Sequence, residues 1–370
     1  VKAYVREDYE KVKFAQVNQE LKSISEKSFR TAVLNMPAMQ LVMYTTIICI
    51  LWFGGKLIFA GEMQVGELTG FLSYVLQILN SLMMISNVFL MLTRAMASGK
   101  RILDVLDEEI DLKEDPEATG EIKAGEIEFR NVSFKYKKEG KKYVLSNVSF
   151  HIEPGQTVGI IGGTGSAKST LVQLIPRLYD VTEGEILIDQ IPVKQYPLKH
   201  LREAVAMVLQ KNTLFTGTIA DNLRWGKEDA SEEELMKACR MACADEFLLQ
   251  MKDGLSSQVE QGGVNLSGGQ KQRLCIARAL LKRPRILILD DSTSAVDTAT
   301  EAKIREALQN NLADTTKIII AQRITSVMHA DQILIMEDGK LNDCGTHEEL
   351  LQRNEIYQEI YYSQQEGCGL

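Results

Sequence analysis

Residues 162–170 read GGTGSAKST, and this stretch decides the fold of the larger part of the chain. The largely apolar residues 156–161 before it predict a buried strand, and the residues after it predict a helix. A glycine-rich turn between a strand and a helix lets backbone N–H groups wrap a phosphate, which the positive end of the helix also attracts. Lys168 is then expected to reach the β- and γ-phosphates of a nucleotide, and Ser169 to ligate Mg²⁺.

One position departs from the usual formula for such a loop, because Ala167 stands where the formula requires Gly. Ala is expected to be conformationally acceptable there, since the position lies at the start of the helix, although its methyl group could crowd the nucleotide. Taken alone, the stretch could also be an ordinary glycine-rich turn.

A second stretch, residues 286–291, reads ILILDD and predicts another buried strand. An Asp at the end of such a strand, beside a phosphate loop, usually holds Mg²⁺ directly or through water. Alone, Asp290 would be interpreted as a helix cap. The presence of the phosphate loop favours the metal site.

Further strands are predicted at 317–321 and 332–336, and helices at 231–249 and 268–281. Residues 127–132 alternate between apolar and polar side chains, as an edge strand does. The pattern predicts an α/β domain over residues 123–362, with a mostly parallel central sheet.

The first hundred residues have a different character. No Asp, Glu, Lys or Arg occurs from 31 to 55 or from 68 to 93. Helices of this length cross a hydrocarbon core of ~30 Å. We therefore predict two membrane spans, at about 31–59 and 67–94, within a membrane domain at residues 1–100. Two buried helices of a large soluble protein are the alternative.

The charges around the spans predict their orientation. Lys22, Lys27 and Arg30 precede the first span, and Arg94, Lys100 and Arg101 follow the second. The positive-inside rule places these flanks in the cytoplasm. Residues 101–122 are rich in Asp and Glu and are interpreted as a solvated acidic linker.

The composition of the chain restricts the classes of partner and the cellular compartment that we expect. The net charge of -8 argues against a nucleic-acid partner, which would require clustered Lys and Arg. The six cysteines form no Cys-x-x-Cys pair and are interpreted as free thiols in a reducing compartment.

A third motif, residues 266–273, reads LSGGQKQR. Ser267 can cap the following helix, and Gly268 and Gly269 leave N–H groups open to an anion. The octet resembles the signature sequence of ABC transporters. The resemblance covers essentially the whole chain and implies an exporter-type half-transporter, with an antiparallel β edge and a helical subdomain beside the parallel sheet. It also implies that the two spans are the fifth and sixth of six, with an N-terminal part missing.

The resemblance assigns roles residue by residue. Tyr136 would stack on adenine, Gln210 would contact Mg²⁺ and face the membrane helices, and the SAVD stretch at 294–297 would cross a dimer interface. In the family, each ATP lies between the phosphate loop of one cassette and the signature of the other. The expected nucleotide-binding residues are Tyr136, Gly162, Gly163, Thr164, Gly165, Ser166, Ala167, Lys168, Ser169, Thr170, Ser267, Gly268, Gly269 and Gln270. The expected metal ligands are Ser169, Gln210 and Asp290, and the expected catalytic residues are Asp291, Gln322 and Gln210.

Two residues depart from the family pattern. Asp291 stands where a catalytic Glu is usual, and its side chain is shorter by ~1.5 Å. Gln322 stands where a His is usual, and an amide cannot share a proton as imidazole does. Because the signature is intact, the chain resembles the degenerate-site subunit of a bacterial heterodimeric multidrug-type exporter. A self-sufficient homodimer is the alternative.

The predicted function is that of an ATP-driven exporter subunit in the bacterial plasma membrane, multi-pass, with its cassette in the cytoplasm. Its expected cofactors are ATP and Mg²⁺. Its expected partners are a second half-transporter with an intact Glu and His, the lipid bilayer and a small lipophilic substrate, without nucleic acid. Two other classes stay open: a soluble ABC ATPase acting on nucleic acid or ribosomes, and a regulatory membrane protein that transports nothing.

Overall fold

The computed structural model describes residues 2, 5–137, 140, 142–291 and 296–367. The chain divides into two compact units, residues 1–109 and 110–370.

The first unit consists of two long helices. Helix α1 (Glu7–Phe59) has 53 residues and helix α2 (Val65–Leu106) has 42. The segments apolar enough to cross a membrane are Pro37–Phe59 in α1 and Val65–Ile85 in α2, and both predicted spans lie within these helices. Helix α1 continues through Pro37. Only 6% of either segment is buried, so their apolar side chains require lipid or further helices to cover them.

Close packing and internal hydrogen bonds suit these two helices to a membrane. Gly54 is buried where α1 meets Leu68 of α2, and a side chain at position 54 would collide with that leucine. The hydroxyls of Thr45 and Thr46 donate to the carbonyls of Leu41 and Val42, at 2.7 and 2.8 Å. Polar groups that bond within their own helix need no water.

The second unit contains an antiparallel and a mainly parallel sheet. The antiparallel sheet has the order β2-β1-β4-β5, with β1 (Ile127–Phe134), β2 (Leu145–Ile152), β4 (Glu183–Ile188) and β5 (Ile191–Pro192). The parallel sheet has the order β12-β11-β3-β10-β9-β6, with β3 (Thr157–Ile161), β6 (Val205–Val208), β9 (Ile286–Asp290), β10 (Thr316–Ile320), β11 (Gln332–Glu337) and β12 (Lys340–Gly345). In it, β12 alone runs antiparallel, against β11. These sheets confirm the predicted α/β fold with its antiparallel β part.

The prediction of an edge strand at 127–132 was wrong. Phe129 of β1 pairs with Phe150 of β2 on one side and with Ile186 of β4 on the other. The alternation of apolar and polar residues has another origin. Phe129 is buried whereas Arg130 is exposed, so the alternation arises because one face of the sheet is buried, and it does not indicate a free edge.

Short helices surround the sheets. They are α3 (Lys168–Gln173), α4 (Leu198–Ala204), α5 (Ile219–Arg224), α6 (Glu232–Met241), α7 (Asp245–Leu248), α8 (Gly268–Leu281), α9 (Thr298–Asn311), α10 (His347–Arg353) and α11 (Glu355–Gly367). Helices α5 to α8, with the two-stranded pair β7 (Gly217–Thr218) and β8 (Gln258–Val259), form the predicted helical subdomain.

The single helix predicted over 231–249 is divided into α6 and α7. Cys243 adopts a left-handed conformation, with φ of 53°. The N–H of Ala244 donates back to the carbonyl of Cys239 at 2.7 Å, which ends α6. Cys239 and Ala242 are buried, so the apolar pattern continues through the break and conceals it.

Both faces of the parallel sheet are buried. Ile286 and Ile288 of β9 belong to the core beneath the antiparallel sheet, while Leu287 and Leu289 belong to the core beneath the helical subdomain. Alternate residues of a strand point to opposite faces, so one short apolar strand supports both layers. This rigid strand ends at Asp290.

Every Asp and Glu side chain of the acidic stretch is exposed, as expected for a solvated linker, and residues 113 and 114 also form hydrogen bonds within the second unit. Arg177 donates to the carbonyl of Lys113 at 2.9 Å, and the Leu198 N–H donates to Glu114 at 2.9 Å. Directly after the stretch, the carboxylate of Asp189 accepts hydrogen bonds from four successive backbone N–H groups, at positions 123–126.

Candidate nucleotide-binding site

The phosphate loop leaves the C-terminal end of β3 and enters α3, as predicted. Gly162 lies against the carbonyl of Met336 on the neighbouring strand, and any side chain at 162 would collide with it. Gly165 has a φ of 84°. The loop therefore requires glycine at both positions, for close approach in one case and for backbone conformation in the other.

Ala167 contradicts the expectation that Ala is conformationally acceptable at its position. It is the N-cap residue of α3 and adopts φ 68° and ψ 22°, which is left-handed. This conformation costs a residue with a Cβ atom about 1–2 kcal/mol, and glycine avoids that cost. The sequence motif asks for Gly here for a backbone reason, which the linear pattern does not reveal.

Lys168 folds back over the phosphate loop. Its Nζ donates to the carbonyls of Gly162 and Gly163, at 2.7 and 2.8 Å, and to Oγ of Ser166 at 3.2 Å. Burial lowers the pKa of Lys168, while the carboxylates of Asp290 and Asp291 act in the opposite direction. The ammonium group is thus held at the loop, beside two carboxylates.

Ser169 and Asp290 meet as predicted. The hydroxyl of Ser169 donates to Oδ1 of Asp290 at 3.1 Å, and Asp290 is only 3% exposed. Burial raises the pKa of Asp290, and the nearby charge of Asp291 raises it further, against the Ser169 hydrogen bond and Lys168. A cation placed here would offset the unfavourable burial of this carboxylate.

Asp291 is the centre of a polar cluster. Its Oδ2 accepts from Nε2 of Gln322 at 2.7 Å and from Nε2 of Gln210 at 3.3 Å. The backbone of Asp291 has a φ of 47°, and its N–H donates to the carbonyl of Ile320 at 2.9 Å. The three residues predicted as catalytic therefore lie together, at the ends of β6, β9 and β10.

Gln272 contributes to this cluster and was missed from the sequence. It lies in α8, is 1% exposed, and donates from Nε2 to the carbonyl of Asp291 at 3.4 Å. A buried Gln inside an amphipathic helix was the available signal, because a buried amide requires a partner.

Tyr136 lies beside α3 at the margin of a groove of about 1000 Å³. Its hydroxyl shares a hydrogen bond with Oγ1 of Thr170 at 2.9 Å. Phe134 and Tyr179 pack against the ring, with centroids 4.9 and 5.1 Å away, and half of the residue remains exposed. The ring is thus fixed near the phosphate loop with room for a planar group beside it.

The signature forms the N-terminus of α8. The Ser267 hydroxyl accepts from the N–H of Gln270 at 3.3 Å, and the side chain of Gln270 accepts from the N–H of Ser267 at 2.9 Å. Ser267 and Gly268 are exposed. Of the predicted interface stretch, Ser294 and Ala295 lie outside the described residues, whereas Asp297 caps α9 by accepting from Thr300 at 3.0 Å.

Comparison with known proteins agrees with this geometry. Residues 145–294 match the model of the ABC transporter family, and residues 1–82 match that of the ABC transporter transmembrane region. The chain belongs to the ABC transporter family. It is a membrane protein with a transmembrane region and a cytoplasmic ATP-binding cassette, and ATP hydrolysis coupled to transport is the general activity of its family.

Its relatives are ABC transporter proteins, among them proteins described as exporters or flippases. The chain is 44% identical over 364 residues to the ABC transporter ATP-binding protein YfiB of Bacillus subtilis, covering 98% of this chain and 63% of that protein. It is 36% identical over 365 residues to an ATP-dependent lipid A-core flippase of Desulfotalea psychrophila, with coverages of 98% and 63%. The structure of a bacterial Atm1-family ABC exporter with ATP bound superposes with a TM-score of 0.87 at 30% identity, covering 99% of this chain and 64% of that one. The chain thus spans about 63% of the length of the curated relatives it matches.

Proposed function

We propose that this chain is a subunit of an ATP-driven exporter of the bacterial plasma membrane and that its own phosphate-loop site is degenerate. The observation that carries the proposal is the hydrogen bond of 2.7 Å from Gln322 to Asp291. This hydrogen bond joins Asp291 and Gln322, the two residues that depart from the family pattern.

The residues of the site fit a magnesium nucleotide. Oγ of Ser169 and Oδ1 of Asp290 lie 3.1 Å apart and would both be ligands, and Gln210, whose side chain reaches the neighbouring Asp291, would offer its amide oxygen. Among the described residues, no group of three or more His, Cys, Asp or Glu surrounds this point. Sparse protein ligation suits Mg²⁺, which takes one or two carboxylates together with water and substrate phosphates. Mg²⁺ when bound would neutralise phosphate charge, and Lys168 would complement it from the loop.

The chemistry available at Asp291 supports slow hydrolysis. Its Oδ2 accepts two amide hydrogen bonds, from Gln322 and Gln210, so that oxygen must lose an amide before it takes a proton from water. Neither amide can accept that proton, since a neutral amide nitrogen is only a donor. The carboxylate is also shorter by one bond than a Glu, and a misplacement of ~1 Å can reduce a rate about a hundredfold.

The signature supports a role in a second cassette's site. Ser267 and Gly268 are exposed at the N-terminus of a 14-residue helix, where N–H groups attract an anion. This chain would then hold one long-lived ATP and complete a competent site for its partner. A self-sufficient homodimer is the second candidate, because Asp291 is still a carboxylate at the proper strand end.

The substrate is proposed to be small and lipophilic. The helices of the membrane unit expose apolar side chains along both spans, and a relative is described as a flippase for the lipid A core. The transmembrane region opposes a soluble ABC ATPase acting on nucleic acid or ribosomes, and a net charge of -8 opposes nucleic-acid binding.

The test compares two variants of the reconstituted full-length transporter. Asp291→Asn in this chain should lower ATPase activity only modestly, whereas Glu→Gln at the matching position of the partner should nearly abolish it. Lys168→Ala, measured by nucleotide titration, should severely weaken ATP binding to this subunit and serves as the control for the site itself. Vigorous ATPase by this subunit alone, lost on Asp291→Asn, would support the homodimer instead.

A further inference from the structure

The side-chain amide of Gln364 on α11 forms two hydrogen bonds with the turn that carries Gln322. Its Oε1 accepts from the N–H of Ile324 at 2.9 Å, and its Nε2 donates to the carbonyl of Gln322 at 2.8 Å. The two bonds lie on either side of Arg323, so one amide spans the turn after β10. Only a group that both donates and accepts can make this pair of bonds.

The same turn places the side chain of Gln322 on Asp291, at 2.7 Å. A continuous series of contacts therefore runs from α11 through Gln364, the backbone of Gln322 and its side chain to the carboxylate of the candidate site. We infer that Gln364 is a positioning residue for Gln322, so that helix α11 controls the geometry of the polar cluster around Asp291.

Helix α11 is suited to this role because its inner face is firmly packed. Tyr357 is fully buried, and its hydroxyl shares a hydrogen bond with Nδ1 of His347 at 2.6 Å. Ile360 and Tyr361 pack against the same core. Gln364 follows Tyr357 by seven residues, which places both on one face of the helix. The amide thus extends from an anchored surface, whereas a side chain on a mobile helix would not hold a turn.

The structure offers a matched control next in sequence. Gln365 lies on the same helix but is exposed, and its Nε2 donates only within the helix, to the Tyr361 hydroxyl at 2.8 Å. Replacing Gln365 removes an amide from α11 without touching the turn at 322–324.

The first test measures directly whether the two hydrogen bonds of Gln364 hold the turn at 322–324. Amide hydrogen exchange of residues 321–326 is compared in the reconstituted full-length transporter for the wild type, Gln364→Ala and Gln365→Ala, without nucleotide. We expect exchange at Ile324 to accelerate about 5- to 30-fold in Gln364→Ala, the effect of one or two hydrogen bonds of ordinary strength, and to be unchanged in Gln365→Ala. Gln364→Glu keeps the acceptor but loses the donor, and it should give an intermediate effect. Equal exchange in all four proteins would overturn the inference.

The second test separates positioning from general stability. Release of trapped radiolabelled ATP is followed in Gln364→Ala, Gln322→Ala and the double variant. If Gln364 acts through Gln322, adding Gln364→Ala to Gln322→Ala changes release no further, whereas additive effects contradict the inference.

The use of ATP release rests on the proposed degenerate site, while the exchange experiment does not. If the site proves fully active, kcat for ATP hydrolysis is measured instead in the same two single variants and the double variant. The coupling between Gln364 and Gln322 is then still tested. Failure of the proposed degenerate site and failure of the inference about Gln364 are therefore distinguishable.

Discussion

Nε2 of Gln322 and Oδ2 of Asp291 lie 2.7 Å apart, joining the ends of two adjacent parallel strands, β10 and β9. The family resemblance leads one to expect Glu and His at these two positions, and the residues present fit each other as donor and acceptor. Because the two side chains are in direct contact, the effects of changes at the two positions should be coupled.

The first prediction is a gain of function. In a transporter whose partner site is silenced by Glu→Gln, the double change Asp291→Glu with Gln322→His should raise steady-state ATPase by up to about a hundredfold. It supplies a carboxylate of the usual length and a group able to share a proton. Either single change should give much less. An unchanged rate in the double variant would mean that the low activity has another cause.

A second prediction concerns Asp290 and pH. Burial raises its pKa. The folded state therefore binds the proton more tightly than the unfolded state does, and stability is lost as pH rises from the ordinary carboxyl pKa through the raised one. Above the raised pKa that stability is fully lost, so at such a pH Asp290→Asn should raise the melting temperature of the nucleotide-free chain, by about 2–4 °C for each kcal/mol of burial cost that it removes.

The gain from Asp290→Asn should disappear below the ordinary pKa of a carboxyl group, because the wild-type side chain is then also neutral. Magnesium-dependent ATP binding should be lost at any pH. Asp314→Asn, at an exposed position, serves as the control and should leave melting unchanged. A melting temperature that falls in Asp290→Asn at every pH above the ordinary carboxyl range would contradict the assignment of burial as the dominant cause.

A third prediction concerns the strained position of the phosphate loop. Ala167→Gly should stabilise the chain by about 1 kcal/mol, since glycine adopts the left-handed conformation without the Cβ contact. Thermal unfolding of the whole chain measures it. Ala299→Gly, at an exposed position in the first turn of α9, should instead destabilise by about 0.5–1 kcal/mol. If both variants lost stability equally, the left-handed conformation of Ala167 would be refuted.

A fourth prediction separates the signature from an ordinary helix cap. Ser267 and Ser231 form the same reciprocal arrangement, with Gln270 and Glu234 respectively. Ser267→Ala and Ser231→Ala should each lose about 1 kcal/mol of stability. Only Ser267→Ala should impair ATP turnover by the assembled transporter, and a bulky residue at Gly268 should abolish it while this chain still binds ATP. Equal turnover in the two serine variants would reduce the signature to a cap.

The parts of the fold that the sequence predicts best are those governed by local periodicity. Helix α8 begins and ends at the predicted residues, and β3, β9, β10 and β11 lie within one residue of their predicted positions. A short apolar run between turn residues leaves few alternatives in an α/β domain. The predicted strand at 127–132 was correct as a strand but wrong as an edge, because its two partners come from distant parts of the chain.

Backbone conformations that a motif does not encode were missed. The break at Cys243 occurs at a non-glycine residue, where composition gives no warning. At Ala167 the Gly of the usual motif was the warning, and the left-handed conformation behind it was not anticipated. The candidate site was predicted residue by residue from motifs, yet the amides of Gln272 and Gln364 were not, since their partners are backbone groups. Backbone atoms carry no sequence signature, so such contacts appear only in three dimensions.

The cap at Ser267 has a consequence for how α8 can respond to an anion. In the cap the hydroxyl oxygen is used as an acceptor, for the N–H of Gln270. A hydroxyl has one proton to donate besides its two lone pairs, and its rotation about the C–O bond is nearly unrestricted. The Ser267 hydroxyl can thus accept the hydrogen bond that caps the first turn and, at the same time, donate its proton to an anion outside the helix. Engagement and release of a phosphate would then need no fraying of the helix end.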